Sequence, residues 1–206
     1  MEDFFARVEH HWPAGRKDLH WHILHEPSLA HEQLVAPYRH VADQPGIAPV
    51  DARWLHTTLM HGGPVDEYKP DEIDQIVDLV RTECAAISPF TLVYDRPAVG
   101  VVALESAARP AHDARRLWEL TTRIDRQVTG GRFETRPASF YPHTSLAYGI
   151  TGPDRPDRHG MKVLLSDVDA GPVPMRVIRI SLVAQSHDRR HITWDHIADV
   201  PLGTAL

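Results

Sequence analysis

The sequence predicts an α+β fold built on antiparallel sheets. Two observations carry this. Helical and strand periodicities are interleaved along the 206 residues with recurrent hairpin joins, and neither a GxGxxG turn nor a Walker motif marks a doubly wound βαβ unit. No linker or composition break divides the chain, so 1–206 reads as a single domain, long enough to bury a real core.

The elements follow in order. Residues 19–25 (LHWHILH) read as a strand. Residues 29–42 have helical spacing through Leu29, Leu34, Val35, Tyr38 and Val41, with Pro37 as a break or kink. Residues 53–61 read as a strand ended by Gly62-Gly63-Pro64. Residues 70–87 form an amphipathic helix: Pro70 and Asp71 suit its first turn, and Ile73, Ile76, Val77, Val80 and Cys84 make one stripe. Residues 89–94 and 99–105 are two strands joined at Asp95-Arg96-Pro97. Residues 111–128 are a second amphipathic helix stopped by Gly130-Gly131. A strand over 140–148 ends at Gly149, and 151–160 is a Pro/Gly/Asp-rich loop. A short helix at 161–166 precedes a terminal hairpin of alternating strands, 175–185 and 191–200.

Composition narrows the function. The net charge is −6, split into −8 over residues 1–103 and +2 over 104–206. An acidic chain is a poor coat for long duplex nucleic acid, whereas a small phosphate-bearing ligand or a nucleic-acid end remains compatible. The bias of 19 Arg to 3 Lys suits phosphate contacts, but a GC-rich genome produces the same bias and is the favoured reading. No run approaches the roughly 18 apolar residues of a membrane span. The acidic start, Met1-Glu2-Asp3-Phe4-Phe5, lacks signal-peptide character, and the single Cys84 cannot form an internal disulfide or a multi-Cys zinc site. The expectation is a cytoplasmic protein with no membrane partner, a monomer by preference.

The unusual feature is 15 histidines. Two strands share a pattern: His56-Thr57-Thr58-Leu59 and His143-Thr144-Ser145-Leu146. A side-chain period of two puts His56 and Thr58 on one face, and His143 and Ser145 on one face, each pair backed by apolar residues. An imidazole titrates near neutrality and serves as base or acid, and a hydroxyl donates to a non-bridging phosphate oxygen. Two such strands across a cleft supply a base, an acid and two phosphate anchors with no metal. The short pattern alone is weak, because His191-Ile192-Thr193-Trp194 also matches, in the context of a charged turn. Tyr141 shares the parity of His143 and is a candidate to stack on a base; Tyr148 falls on the other face unless the strand bulges. His61 reads as a surface turn position that could line the cleft. His20 and His22 share a strand face, but no HExxH or Cys partner accompanies them or His10, His11 and His25, so no metal site is expected. Arg136, Arg179 and Arg189 read as solvated surface with the option of a second phosphate.

The two motifs, 87 residues apart with one in each half, resemble those of the 2H phosphoesterase superfamily, which contains 2′-5′ RNA ligase-like proteins and cyclic phosphodiesterases. The resemblance covers nearly the whole chain. It implies a bilobal, pseudo-twofold fold with helices flanking the sheets, one motif in each of two intertwined lobes and the active site between them. It makes His56 and His143 the catalytic pair and Thr58 and Ser145 the phosphate-binding hydroxyls. Ser145 stands where many members have Thr, and the His20–His22 strand is more polar than usual. The implied activity is metal-independent, cofactor-free hydrolysis of 2′,3′-cyclic phosphates on a small nucleotide or an RNA 3′ end, with His143 assigned as base and His56 as acid. Reversible 2′-5′ RNA ligation, a non-catalytic nucleotide or RNA-end binding module, and a His-rich metalloenzyme unrelated to this family are the alternatives.

Overall fold

Two antiparallel sheets organise the computed structural model, which describes residues 1–152 and 157–203. In chain order the helices and strands are α1 (Phe4–Val8), β1 (Asp18–Leu24), α2 (Pro27–Ala30), α3 (Arg39–Ala42), β2 (Ile47–Pro49), β3 (His56–Pro64), α4 (Glu72–Cys84), β4 (Phe90–Tyr94), β5 (Ala98–Val99), β6 (Ala103–Arg109), α5 (His112–Thr129), β7 (His143–Gly149), α6 (Arg158–Ser166), β8 (Val173–Val177), β9 (Arg179–His187) and β10 (Ile192–Pro201). The smaller sheet has the order β10-β9-β1-β3; the larger has β2-β7-β6-β4-β8, with β5 paired to β6. The α+β class with antiparallel sheets is as expected, and each sheet carries one motif strand, β3 or β7.

The layers follow from amphipathicity. Helices α4 and α5 pack on each other and on the back of the smaller sheet through β10 and β3, burying Ile76, Val77, Val80 and Cys84 from one and Leu117, Leu120 and Ile124 from the other. Burial pushes the Cys84 thiol up to about 12, so it is a core side chain rather than a nucleophile. Gly130 stops α5 in the left-handed conformation that favours glycine. One core, including Trp21, Leu59, Leu104 and Leu146, runs continuously behind both sheets, and a smaller cluster joins Phe5 and Trp12 to Tyr148 and Ile192.

Several boundaries differ from the periodic reading, each for a local reason. The helix expected over 29–42 is broken into α2, a wide turn at His31–Val35, a tight turn at Ala36–Tyr38 and α3, because Pro37 has no N–H and its ring crowds the preceding turn. The strand expected at 53–61 starts with a 3₁₀ turn at Ala52–Trp54 and continues through both glycines to Pro64. Those glycines belong to the strand because a Cβ on Gly63 would lie 2.3 Å from the Phe133 ring and one on Gly62 would lie 2.6 Å from the Tyr68 hydroxyl. Pro70 and Asp71 precede α4 rather than forming its first turn. The strand expected at 99–105 is two, β5 and β6, folded at Gly100, and β4 joins β6 only at Val93 and Tyr94. The alternation over 175–185 spans a corner: β8 pairs with β4 in the larger sheet, Ile178 is exposed, and β9 pairs with β1 in the smaller. The short α1 and β2 carry no periodic signal and were not expected; Asp3 caps α1 by accepting from the amides of Phe5 and Ala6. Part of the 151–160 loop, residues 153–156, lies outside the described residues, and α6 starts within the rest of it.

Candidate active site

Between the two sheets lies a cleft of about 250 Å³. The smaller sheet lines it with His20, His56, Thr58, His61 and Gln185. The larger lines it with Glu105, His143, Ser145 and Tyr148, and the segments before β1 and β7 close it with His11, Trp12, Arg136 and Tyr141. The structure thus brings His56, His143, Thr58, Ser145 and Tyr141 together in one cavity.

The two histidines are held in the same way. His56 Nδ1 lies 2.8 Å from the Trp54 carbonyl oxygen, and His143 Nδ1 lies 3.1 Å from that of Tyr141, each two residues upstream. A carbonyl only accepts, so Nδ1 must carry the proton that it donates, and in the neutral ring Nε2 is left with the lone pair. Each strand therefore fixes its imidazole through its own backbone and frees Nε2 for chemistry.

Their surroundings differ. His56 is buried, stacked at 4.3 Å on His22 and met edge-on by Trp194 at 5.1 Å. Burial pushes its pKa down to about 4; the Trp54 carbonyl opposes this, and the nearby His143 charge adds to it. His143 is only half-buried, with the exposed Tyr141 ring stacked on it at 4.6 Å. His22 lies wholly inside, with both ring nitrogens lacking a partner. Burial holds both His20 and His22 well below the usual histidine range, and the neighbouring histidine charges reinforce this.

Strict period-two parity fails at the same place in both strands. In β3, Trp21 pairs with Met60 but His22 with Thr58, which leaves Leu59 as an extra residue. In β7, Leu104 pairs with Ala147 but Glu105 with Ser145, which leaves Leu146 extra. Each bulge sends two successive residues into the core, Leu59 and Met60 or Leu146 and Ala147, and turns the fifth residue after the histidine back to the cleft. That residue is His61 in one strand and Tyr148 in the other. His61 thus faces the cleft rather than a surface turn, and Tyr148 lines the same cleft as His143.

The remaining histidine and arginine candidates separate cleanly. His191 lies in the β9–β10 turn, with its amide and ring on Asp188 and outside this cleft. His25 bonds the Tyr94 hydroxyl at 2.8 Å. Arg179 pairs with Asp199 and Arg189 with Glu9, both away from the cleft, whereas Arg136 lines it. Among the described residues no group of three or more His, Cys, Asp or Glu side chains is placed to hold a metal ion, and no helix is long and apolar enough to cross a membrane. Arg136, Gln185, Glu105 and Trp12 reach the cleft from four separate segments, and no motif signals them.

A model of the 2′-5′ RNA ligase superfamily matches residues 26–189. Solved structures share the fold. TT0787 of Thermus thermophilus is 18% identical with a TM-score of 0.65, covering 91% of this chain and 100% of its own. E. coli LigT complexed with 3′-AMP is 18% identical with a TM-score of 0.62, covering 91% and 98%. A structure described as a phosphoesterase is 17% identical with a TM-score of 0.63, covering 91% and 99%. No curated protein sequence matches.

Proposed function

The chain belongs to the 2′-5′ RNA ligase superfamily, and on that premise we propose that it hydrolyses 2′,3′-cyclic phosphates of a nucleotide or an RNA end, without a metal, through His56 and His143. The observation that carries this reading is the mirrored pair of Nδ1–H to carbonyl bonds, which leaves two Nε2 atoms and two hydroxyls, Thr58 and Ser145, facing one cavity. The fold is shared with LigT, which has been crystallised with 3′-AMP, and a nucleotide phosphate suits this cavity.

In the proposed step one Nε2 takes a proton from water as its oxygen bonds to phosphorus. The bond from phosphorus to one ribose oxygen breaks, and the other imidazolium donates its proton to that oxygen. Thr58 and Ser145 donate to the non-bridging oxygens as charge builds on them. The product is a phosphate monoester beside a free ribose hydroxyl. The burial of His56 favours its neutral form, so we assign it as the base and the more exposed His143 as the acid, the reverse of the expectation from sequence. Tyr141, exposed beside His143, is the proposed stacking surface for a base.

The test is phosphorus NMR of 2′,3′-cyclic AMP incubated with the protein and EDTA. The expected result is conversion to a single monoester, with none by the His56→Ala/His143→Ala double variant. Calorimetric binding with no conversion would overturn hydrolysis in favour of a binding module, and loss of conversion on chelation would overturn the metal-free step.

A further inference from the structure

One carboxylate stands among the groups that would hold a phosphate. Glu105, half-buried on β6, lines the same cavity as His56, His143, Thr58 and Ser145. The β6–β7 register sets its Cα opposite that of Ser145, so the two side chains leave one face of the larger sheet as cross-strand neighbours. The Tyr141 phenol lies beside it: burial raises that phenol above its usual range, and the adjacent Glu105 charge raises it further. Among the described residues Glu105 is in no ion pair, and the Arg136 guanidinium that shares the cleft is held by Glu134 at 2.9 Å. A carboxylate so placed repels a phosphate on Ser145 unless donors on the ligand engage it. From this placement we propose that Glu105 selects the base, and that the substrate carries guanine on the ribose that bears the cyclic phosphate. This rests on the cyclic-phosphate reading above and deepens it.

Three features support guanine. The first is acceptor chemistry. A carboxylate offers two parallel acceptor oxygens. Guanine presents two adjacent donors, N1–H and the N2 amino group, which engage both at once. Adenine and cytosine set a ring-nitrogen lone pair beside their one amino donor, and uracil flanks its N3–H with two carbonyls. Each of those three therefore turns an acceptor against a carboxylate oxygen. The second is the platform. Tyr141 is 56% exposed, and His143 covers one face of its ring at 4.6 Å. A base laid on the other face brings its Watson–Crick edge past the hydroxyl end of the ring, where Glu105 stands. The third is span. Cross-strand partners have Cβ atoms about 4.5–5.5 Å apart, so a phosphate on the Ser145 hydroxyl and a base edge on the Glu105 carboxylate fall within one nucleotide.

The experiment compares kcat/KM for the 2′,3′-cyclic phosphates of guanosine, adenosine, cytidine, uridine and inosine, with the wild-type protein and with Glu105→Gln. Charge-assisted pairing predicts about a tenfold or larger preference for guanosine over adenosine, cytidine and uridine. Inosine keeps N1–H and lacks the N2 amino group, so it should fall between guanosine and adenosine. In Glu105→Gln the guanosine-to-adenosine ratio should drop toward one. Equal rates on all five substrates, or a guanosine preference unchanged in Glu105→Gln, overturns the assignment. An equal loss on every substrate in Glu105→Gln also overturns it, because a contact to ribose is blind to the base. The inosine comparison needs no variant, so it decides the matter even where Glu105→Gln fails to fold. Calorimetry with guanosine 3′-phosphate and adenosine 3′-phosphate separates base selection from hydrolysis. A Glu105-dependent preference for the guanosine monoester without turnover of any cyclic phosphate would support base selection and reject the hydrolase. Turnover with no preference among the bases would do the reverse, and neither turnover nor selective binding would reject both.

Discussion

Lowering the pH should unfold this protein through its histidines before its carboxylates. His20, His22 and His56 are buried and His25 is partly buried, and burial holds all four below their ordinary value of 6.5: His25 and His56 to about 4, His20 and His22 well below the usual range. The folded pKa lies below the unfolded one, so their neutral burial costs nothing extra above about pH 6.5. As the pH falls from about 6.5 toward 4 the unfolded chain takes up protons that the folded chain refuses. At about pH 5.5 the unfolded chain holds about 3.6 of the four protons and the folded chain almost none. The slope is then roughly 4–5 kcal/mol per pH unit, at about 1.36 kcal/mol per proton. Typical domain stabilities of about 5–15 kcal/mol would be largely consumed within two units. Urea unfolding followed by circular dichroism at pH 7, 6 and 5 measures this directly. His22→Leu should lower the slope by about one proton's worth, and also remove two unpartnered buried nitrogens. A slope at or below about 1.4 kcal/mol per pH unit between pH 6 and 5 would mean that these rings are not buried neutral, and the description of the cleft floor would be wrong.

Other outcomes follow from the same geometry. The acid limb of kcat/KM should lie near the His56 value of about 4, because the base works deprotonated; a limb well above that value would refute His56 as the base. Thr58→Val and Ser145→Ala should each lower kcat by about 10²-fold or more, as expected for loss of a donor to the transition state, and steady-state kinetics showing only a raised KM would refute that role. Gly63→Ala should destabilise the fold by about 1–3 kcal/mol, since its Cβ would meet the Phe133 ring at 2.3–2.6 Å; an unchanged melting temperature would show that Phe133 moves freely.

The element types and the two motif strands were legible because they depend on local periodicity. The stripe of α4 and the Gly130 stop of α5 are sequence-local facts, and so is the face shared by His56 and Thr58. What was not legible depends on pairing. Nothing in His56-Thr57-Thr58-Leu59-Met60-His61 says that Leu59 will bulge; that is set by β1 opposite it, and it decides whether His61 faces solvent or the cleft. The same holds for Leu146 and Tyr148 against β6. The alternation through Ile178 was equally blind to the corner at which the chain changes sheets. The 15 histidines resolve in the same terms. His56 and His143 are fixed by backbone carbonyls, His20 lines the cleft with His22 buried beside it, and His191 is held in a turn by Asp188.

The central claim is that two imidazoles on opposite sheets act together on one phosphodiester. Its most direct measurement is kcat/KM on 2′,3′-cyclic AMP for His56→Ala, for His143→Ala and for the double variant, with circular dichroism at pH 7.5 reporting the fold. The account predicts a native-like spectrum throughout, a loss of at least about 10²-fold in each single variant, and a double variant little worse than either. Either single variant retaining wild-type activity with its fold intact would contradict it.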